Sequence, residues 1–411
     1  MEFTELGLPP RLLARLEPLG LTRPTPIQHK AIPHALNGRD VLGIAQTGTG
    51  KTAAFGLPLV AALSESRARP APRQARGLVL APTRELAGQI MTTLDGLAPE
   101  LRITLVVGGK SINAQAGRLA RGTDILVATP GRLIDLLDRG AVDLTATGFL
   151  VLDEADQMLD IGFVHALRRI ARELGPERQT MMFSATMPKQ MTEIARDYLT
   201  SPIRVEVTPP GRVADKVAHS VHFVAKDDKR ALLSELLDSH RDDLALVFSR
   251  TKHGAERLMK QLEREGFAAA AIHGNKSQGQ RDRALAAFRG GDVRVLVATD
   301  VAARGIDIPG VGHVYNFDLP NVPETYVHRI GRTARAGRAG RAVALCAPDE
   351  MGELRAIEKL LGDRIEIAGG TPWETAPAPR SGKTGGKPGG KSGARRRPRR
   401  KSGRSRKPMA A

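Results

Sequence analysis

The run Ala45-Gln46-Thr47-Gly48-Thr49-Gly50-Lys51-Thr52 brings together residue types that hold a nucleotide phosphate. Its glycines let successive backbone N–H groups turn inward around an anion without Cβ clashes. Lys51 offers a point charge for the β- and γ-phosphates, and the Thr52 hydroxyl can hold Mg²⁺. The general pattern starts on glycine, and here Ala45 takes that place. Further on, Asp153-Glu154-Ala155-Asp156 pairs two acids of different use. Asp153 is suited to bind Mg²⁺, usually through water, and Glu154 to orient and deprotonate an attacking water. A third cluster, Tyr326-Val327-His328-Arg329-Ile330-Gly331-Arg332-Thr333-Ala334-Arg335, concentrates cations. Arg332 and Arg335 share a face if the stretch is helical, which suits transition-state charge on a γ-phosphate across a cleft. The same spacing also suits a basic face toward solvent or RNA.

These groups need elements that aim them. Val41-Leu42-Gly43-Ile44 reads as the strand before the phosphate loop, and the residues from Ala53 as the helix after it, its positive dipole end toward the anion. Phe149-Leu150-Val151-Leu152 is a buried-strand pattern that delivers Asp153 at its carboxyl end. Apolar strands alternate with amphipathic helices to residue 208, and again from 217 to 365, which predicts parallel sheets covered on both faces. Residues 1–36 precede the first core strand. Pro209-Pro210-Gly211 opens a linker over 209–216, and the second half has no Gly-Lys-Thr loop. One nucleotide between two similar domains is the expectation.

The chain has 411 residues, one cysteine and a formal net charge of +18. A single cysteine excludes an internal disulfide, no apolar run is long enough for a bilayer, and the N-terminus lacks a signal-peptide pattern, so a cytoplasmic location is expected. From residue 380 onward there are thirteen Lys or Arg and no acid, among Gly, Ser and Pro. Such a segment cannot build a core, and residues 366–411 are expected to form a disordered basic tail that gains nucleic-acid affinity by counterion release.

With these motifs in order, residues 1 to 360 resemble the DEAD-box RNA helicases of superfamily 2, the second domain most like the bacterial RhlE type. The resemblance implies two tandem RecA-like α/β domains, ATP and Mg²⁺ as ligands, and RNA as partner. Gly20-Leu21-Thr22-Arg23-Pro24-Thr25-Pro26-Ile27-Gln28 matches the family's Q motif, with Gln28 on the adenine edge and Phe3 stacked on the ring. Pro82, Thr83 and Arg84, Gly109, and Thr129 with Arg132 match RNA-contacting motifs of the first domain. Arg250, Thr251, Gln278, Arg281 and Thr299 match those of the second. Gly305 and Asp307 fall where the nucleotide is touched. Asp156, Ser184, Thr186 and His328 match the network that couples hydrolysis to RNA grip. Ala334 stands where glycine is frequent. The resemblance implies local, non-processive unwinding or remodelling of RNA duplexes or ribonucleoproteins, with single-stranded and duplex RNA held through largely sequence-independent contacts, and ribosome assembly or RNA decay as typical settings. An ATP-gated RNA clamp and a translocating DNA helicase are the rival readings; the intact Ser184-Ala185-Thr186 motif speaks against the first, and the Gln28 motif with Asp-Glu-Ala-Asp against the second.

Overall fold

The computed structural model describes residues 2–46, 48–65, 69–207, 217–303, 310–333 and 340–373. The predicted alternation folds into two parallel sheets of seven strands each. The first comprises β1 (Val41–Ile44), β2 (Ala75–Leu80), β3 (Ile103–Val106), β4 (Thr123–Ala128), β5 (Phe149–Leu152), β6 (Gln179–Ser184) and β7 (Ile203–Glu206), in the order β3-β4-β2-β5-β6-β1-β7. The second comprises β8 (Val217–Phe223), β9 (Leu244–Phe248), β10 (Ala269–Ile272), β11 (Val295–Ala298), β12 (Val311–Asn316), β13 (Gly340–Cys346) and β14 (Glu366–Gly369), in the order β10-β11-β9-β12-β13-β8-β14. Because all strands of a sheet run the same way, every loop after a strand emerges at one edge, where ligands bind in open α/β sheets.

Helices α1 (Pro10–Leu16), α2 (Pro26–Leu36), α3 (Lys51–Glu65), α4 (Arg84–Leu97), α5 (Ile112–Leu119), α6 (Pro130–Asp138), α7 (Ala155–Asp160), α8 (Val164–Glu173) and α9 (Lys189–Tyr198) accompany the first sheet. Helices α10 (Lys229–Asp238), α11 (Lys252–Arg264), α12 (Gln278–Gly290), α13 (Asp300–Ala303), α14 (Pro323–Ile330) and α15 (Met351–Leu361) accompany the second. Each sheet is buried on both faces: the first lies between two apolar clusters, one with Phe55 and Phe183, the other with Leu126 and Leu150. This is why its strands read as continuous Val, Ile and Leu runs rather than alternating ones. β1 and β6 sit so close that a Cβ at Gly43 would come within 2.5 Å of the Phe183 ring.

Two expectations change. The second sheet does not end at residue 365, because β14 pairs with β8 and adds an edge strand. Trp373 then packs on that lobe's core and donates from Nε1 to the Cys346 carbonyl at 3.0 Å. The boundary lies after Trp373; residues 366–373 belong to the lobe and not to the tail. A charged, glycine-bordered strand of four residues carries no apolar signal of its own. The linker 209–216 and the tail from 374 lie outside the described residues. No helix among the described residues is long and apolar enough to cross a membrane.

Candidate ATP and RNA site

β1 and β5 are separated by β6, so the phosphate loop, the Asp153 acids and the Ser184–Thr186 turn leave the sheet side by side. Gly48 and Gly50 adopt φ of +84° and +90°, conformations that favour glycine. A Cβ on Gly50 would lie 2.5 Å from Gln28 Nε2 and 2.9 Å from Thr25 Oγ1. Thr49 Oγ1 donates to the Gln46 carbonyl at 2.7 Å and tightens the loop. Ala45 N donates to Ser184 O, which extends the β1–β6 ladder into it. Lys51 opens α3 and is 5% exposed, and among the described residues its Nζ has no hydrogen-bond partner. The nearest carboxylate oxygen, Asp153 Oδ1, is 3.8 Å away. A buried ammonium of this kind requires an anion. With the helix N-terminus and the inward loop it fits the phosphates of ATP, and Asp153 with Thr52 fits the oxygen donors that Mg²⁺ prefers.

Asp153 and Glu154 are each 2% exposed. Burial, with the Glu154 and Asp156 charges beside it, raises Asp153 to about 6 although Lys51 pulls it down. Glu154 adopts φ +51° and ψ +50°, a left-handed conformation at the N-cap of α7. One oxygen of Asp156 accepts three bonds, from Ala185 N, Thr186 N and Thr186 Oγ1 at 3.0, 2.9 and 3.1 Å. Ser184 Oγ donates to the Thr186 carbonyl at 2.7 Å. Three of the four predicted coupling residues thus form one cluster at the end of β6. The fourth, His328, lies on α14 and accepts a bond at its carbonyl from Arg332 Nε.

Gln28 is 1% exposed, and its amide spans two backbones. Nε2 donates to Gly50 O and Oε1 accepts from Thr25 N, each at 2.9 Å, so the amide closes the α2 capping box and grips the phosphate loop. An adenine edge would use its second N–H and second lone pair. Phe3, expected to stack on a ring, is 4% exposed and packed in the apolar cluster beside α2. The condition for a shared helical face is not met at Arg332: α14 ends at Ile330, Gly331 takes the C-cap with φ −67°, and Arg332 lies in the turn beyond, 5% exposed. Thr47, Gly305, Asp307 and Arg335 lie outside the described residues.

The predicted RNA residues collect at the same edges. Thr83 follows Pro82 and caps α4 by accepting from Leu86 N, Thr129 holds the N-cap position of α6, and Thr251 caps α11 by accepting from Gly254 N. Arg84 crosses the Gly108-Gly109 turn so closely that a Cβ on Gly109 would sit 2.2 Å from its Nη1. Burial, then the nearby Arg281 charge, lowers the Arg84 guanidinium from its ordinary value. Arg132 donates to the Lys110 carbonyl at 2.9 Å. Arg250 donates to Leu319 O and Glu350 Oε1, both at 3.0 Å. Thr299 follows β11 and is 9% exposed.

Several contacts join the lobes. Arg281 Nη2 meets Glu85 Oε1 at 3.0 Å, Gln278 Nε2 donates to the same oxygen at 3.1 Å, and Arg84 Nη1 donates to Gln278 Oε1 at 3.2 Å. Glu85 is absent from the residues predicted above. So is Arg329, which grips Asp300 through two nitrogens at 2.6 and 2.8 Å and also donates to Asn316 Oδ1 and Asp318 O. Glu85 directly follows Arg84, and Arg329 stands inside the quoted run from Tyr326 to Arg335; the signal of each is a charge that has no partner within its own element.

Tandem parallel sheets with one phosphate loop, one acidic strand end and a second lobe without a loop define a nucleotide-driven two-lobed ATPase. Residues 25–194 match the DEAD/DEAH box helicase family, and residues 228–337 the helicase conserved C-terminal domain. The ATP-dependent RNA helicase CshA of Listeria monocytogenes is 41% identical over 377 residues, 91% of this chain and 72% of that protein. The DEAD-box ATP-dependent RNA helicase CshA of Streptococcus pneumoniae is 45% identical over 368 residues, 89% of this chain and 69% of that one. Among solved structures, S. cerevisiae Dbp5 bound to RNA and ADP BeF3 is similar at TM-score 0.78 and 32% identity, over 90% of this chain and 95% of that one. Mss116p bound to ssRNA and AMP-PNP is similar at TM-score 0.81 and 27% identity, over 90% and 79%. The chain belongs to the DEAD-box ATP-dependent RNA helicases.

Proposed function

We propose that this helicase couples Mg-ATP hydrolysis to local, non-processive separation or remodelling of RNA duplexes in the cytoplasm. The observation that carries the reading is the buried Lys51 ammonium, without a hydrogen-bond partner among the described residues and 3.8 Å from Asp153, beside Glu154. Lys51 and the loop N–H groups hold the β- and γ-phosphates. Thr52 and Asp153 would hold Mg²⁺, which when bound would neutralise negative charge on the nucleotide phosphates. Glu154 orients the attacking water and takes its proton. Arg332 and Arg335 come from the second lobe to the transferring phosphoryl group. Gln28 reads the adenine, and Gly305 and Asp307 touch the nucleotide from the other side. Asp156, Ser184, Thr186 and His328 transmit the phosphate state to the RNA-holding loops. Residues Pro82 to Arg84, Gly109, Thr129, Arg132, Arg250, Thr251, Gln278, Arg281 and Thr299 hold sugar and phosphate, so sequence specificity is low.

RNA and ATP each touch both lobes and favour one arrangement, so each strengthens the other. The basic residues from 380 onward tether structured RNA and raise its local concentration; precursor ribosomal RNA and RNA in decay are both fitting substrates. The RhlE-type likeness is part of this reading, supported by the layout of the second lobe; the relatives compared carry the name CshA. Strand displacement on a short RNA duplex with ATP against a non-hydrolysable analogue tests the coupling, and ATPase stimulation by RNA against matched DNA tests the substrate. ATP-dependent displacement and RNA-selective stimulation are expected; turnover at full speed without RNA overturns the reading.

A further inference from the structure

At the opposite edge of the second sheet, away from every loop described above, three potential ligands meet. His240 and Asp243 lie in the turn between α10 and β9, and His313 near the start of β12. The turn is fixed by His240 N donating to Leu237 O and Asp243 N to His240 O. The imidazoles of His240 and His313 stack with centroids 3.5 Å apart and planes 1° from parallel. His313 Nε2 is 3.0 Å from Asp243 Oδ2, and His240 Nε2 is 2.6 Å from the Tyr315 hydroxyl. His240 Nδ1 is buried and has no hydrogen-bond partner among the described residues. One ligand atom from each of His240, Asp243 and His313 falls within 4.8 Å of the other two.

We propose that His240, His313 and Asp243 form a binding site for a borderline divalent transition ion such as Zn²⁺. Two ligands on one tetrahedral Zn²⁺ stand about 3.4 Å apart, so ligand atoms now within 4.8 Å of one another close by up to about 1.4 Å. A metal lies in the plane of each imidazole it binds, so the stacked rings must also unstack, which rotation of the His240 side chain supplies. Asp243 is exposed and reaches the ion from the rim, while solvent completes the shell. Two imidazoles and one carboxylate select Zn²⁺, Ni²⁺ or Cu²⁺ over Mg²⁺, so the ion that serves ATP does not compete. Bound there, the ion ties the α10–β9 turn to β12 and stabilises the second lobe without touching the ATP edge.

The test is Zn²⁺ added to the full chain without any affinity tag, followed by calorimetry and by metal content after dialysis. One saturable site per chain is expected, with a higher unfolding temperature when it is filled. Loss even of a group that only bonds a ligand costs about tenfold in metal affinity, so Asp243→Asn and His240→Gln should each cost at least that. Asp243 is exposed, so Asp243→Asn keeps the test decisive if His240→Gln fails to fold. RNA-stimulated ATPase should be the same in wild type and both variants. Absence of a saturable site in wild type, or an affinity in both variants equal to that of wild type, overturns the proposal.

Discussion

Glu154 is one of three non-glycine residues with positive φ among the described residues, and it sits between two buried acids. A left-handed backbone costs a residue with a Cβ about 1 kcal/mol, and an observed outlier at a candidate catalytic position is where such strain is retained. The left-handed residue turns the chain from the end of β5 into α7. Two substitutions separate backbone strain from chemistry. Glu154→Gln keeps the backbone strain and removes the base, so turnover should fall by about a hundredfold or more with ATP and RNA binding retained. Glu154→Gly should lose turnover equally yet be more stable by about 1 kcal/mol, read from urea unfolding of the two variants. Equal stability of the two would place the cost elsewhere.

Helix α12, which carries Gln278 and Arg281, takes its direction from the turn before it. Glu256 on α11 holds that turn through Lys276 Nζ at 2.8 Å and His273 Nε2 at 3.0 Å. Bonds from Lys276, then from His273, lower Glu256 from its ordinary 4.5 to about 2. A carboxylate lowered by folding stabilises fully above its unfolded value, and the contribution is lost as pH falls through the folded one. Wild type should therefore exceed Glu256→Gln in stability at pH 7, and the gap should shrink between pH 4.5 and pH 2. Urea titrations at pH 7, 5 and 3.5 check this; a gap constant with pH removes the ionic account. Elements of this kind differ in how far they can be read beforehand. The β1–loop–α3 unit and the β5 acids were legible because each needs fixed residue types at fixed spacing. β7 was not, since Ile203–Glu206 alternates with exposed Arg204 and Glu206 over four residues at a sheet edge. Nor was the Asp300–Arg329 grip, because no local period says which distant charge will neutralise a buried one.

At the scale of the whole molecule, the neighbours carrying RNA superpose over nine-tenths of this chain at TM-scores of 0.78 and 0.81, a span that includes both lobes. Within this chain, Glu85 with Arg281 is part of what joins the lobes. Removing one member of a buried ion pair strands the other and costs about 3 kcal/mol. Glu85→Gln and Arg281→Gln should each cut RNA-stimulated turnover about tenfold or more while ATP affinity without RNA stays the same. The double variant should lose less than the two losses combined, as contacting residues do; full additivity would show that the pair does not couple the lobes. Trp373, the chain's only tryptophan, gives a separate handle on lobe independence. Its indole is fastened to the second lobe, so emission from that ring reports melting of one lobe while the other stays optically silent. Far-ultraviolet circular dichroism sees both, and midpoints that diverge between the two signals would show lobes melting in turn, whereas coincidence would mark a single cooperative unit.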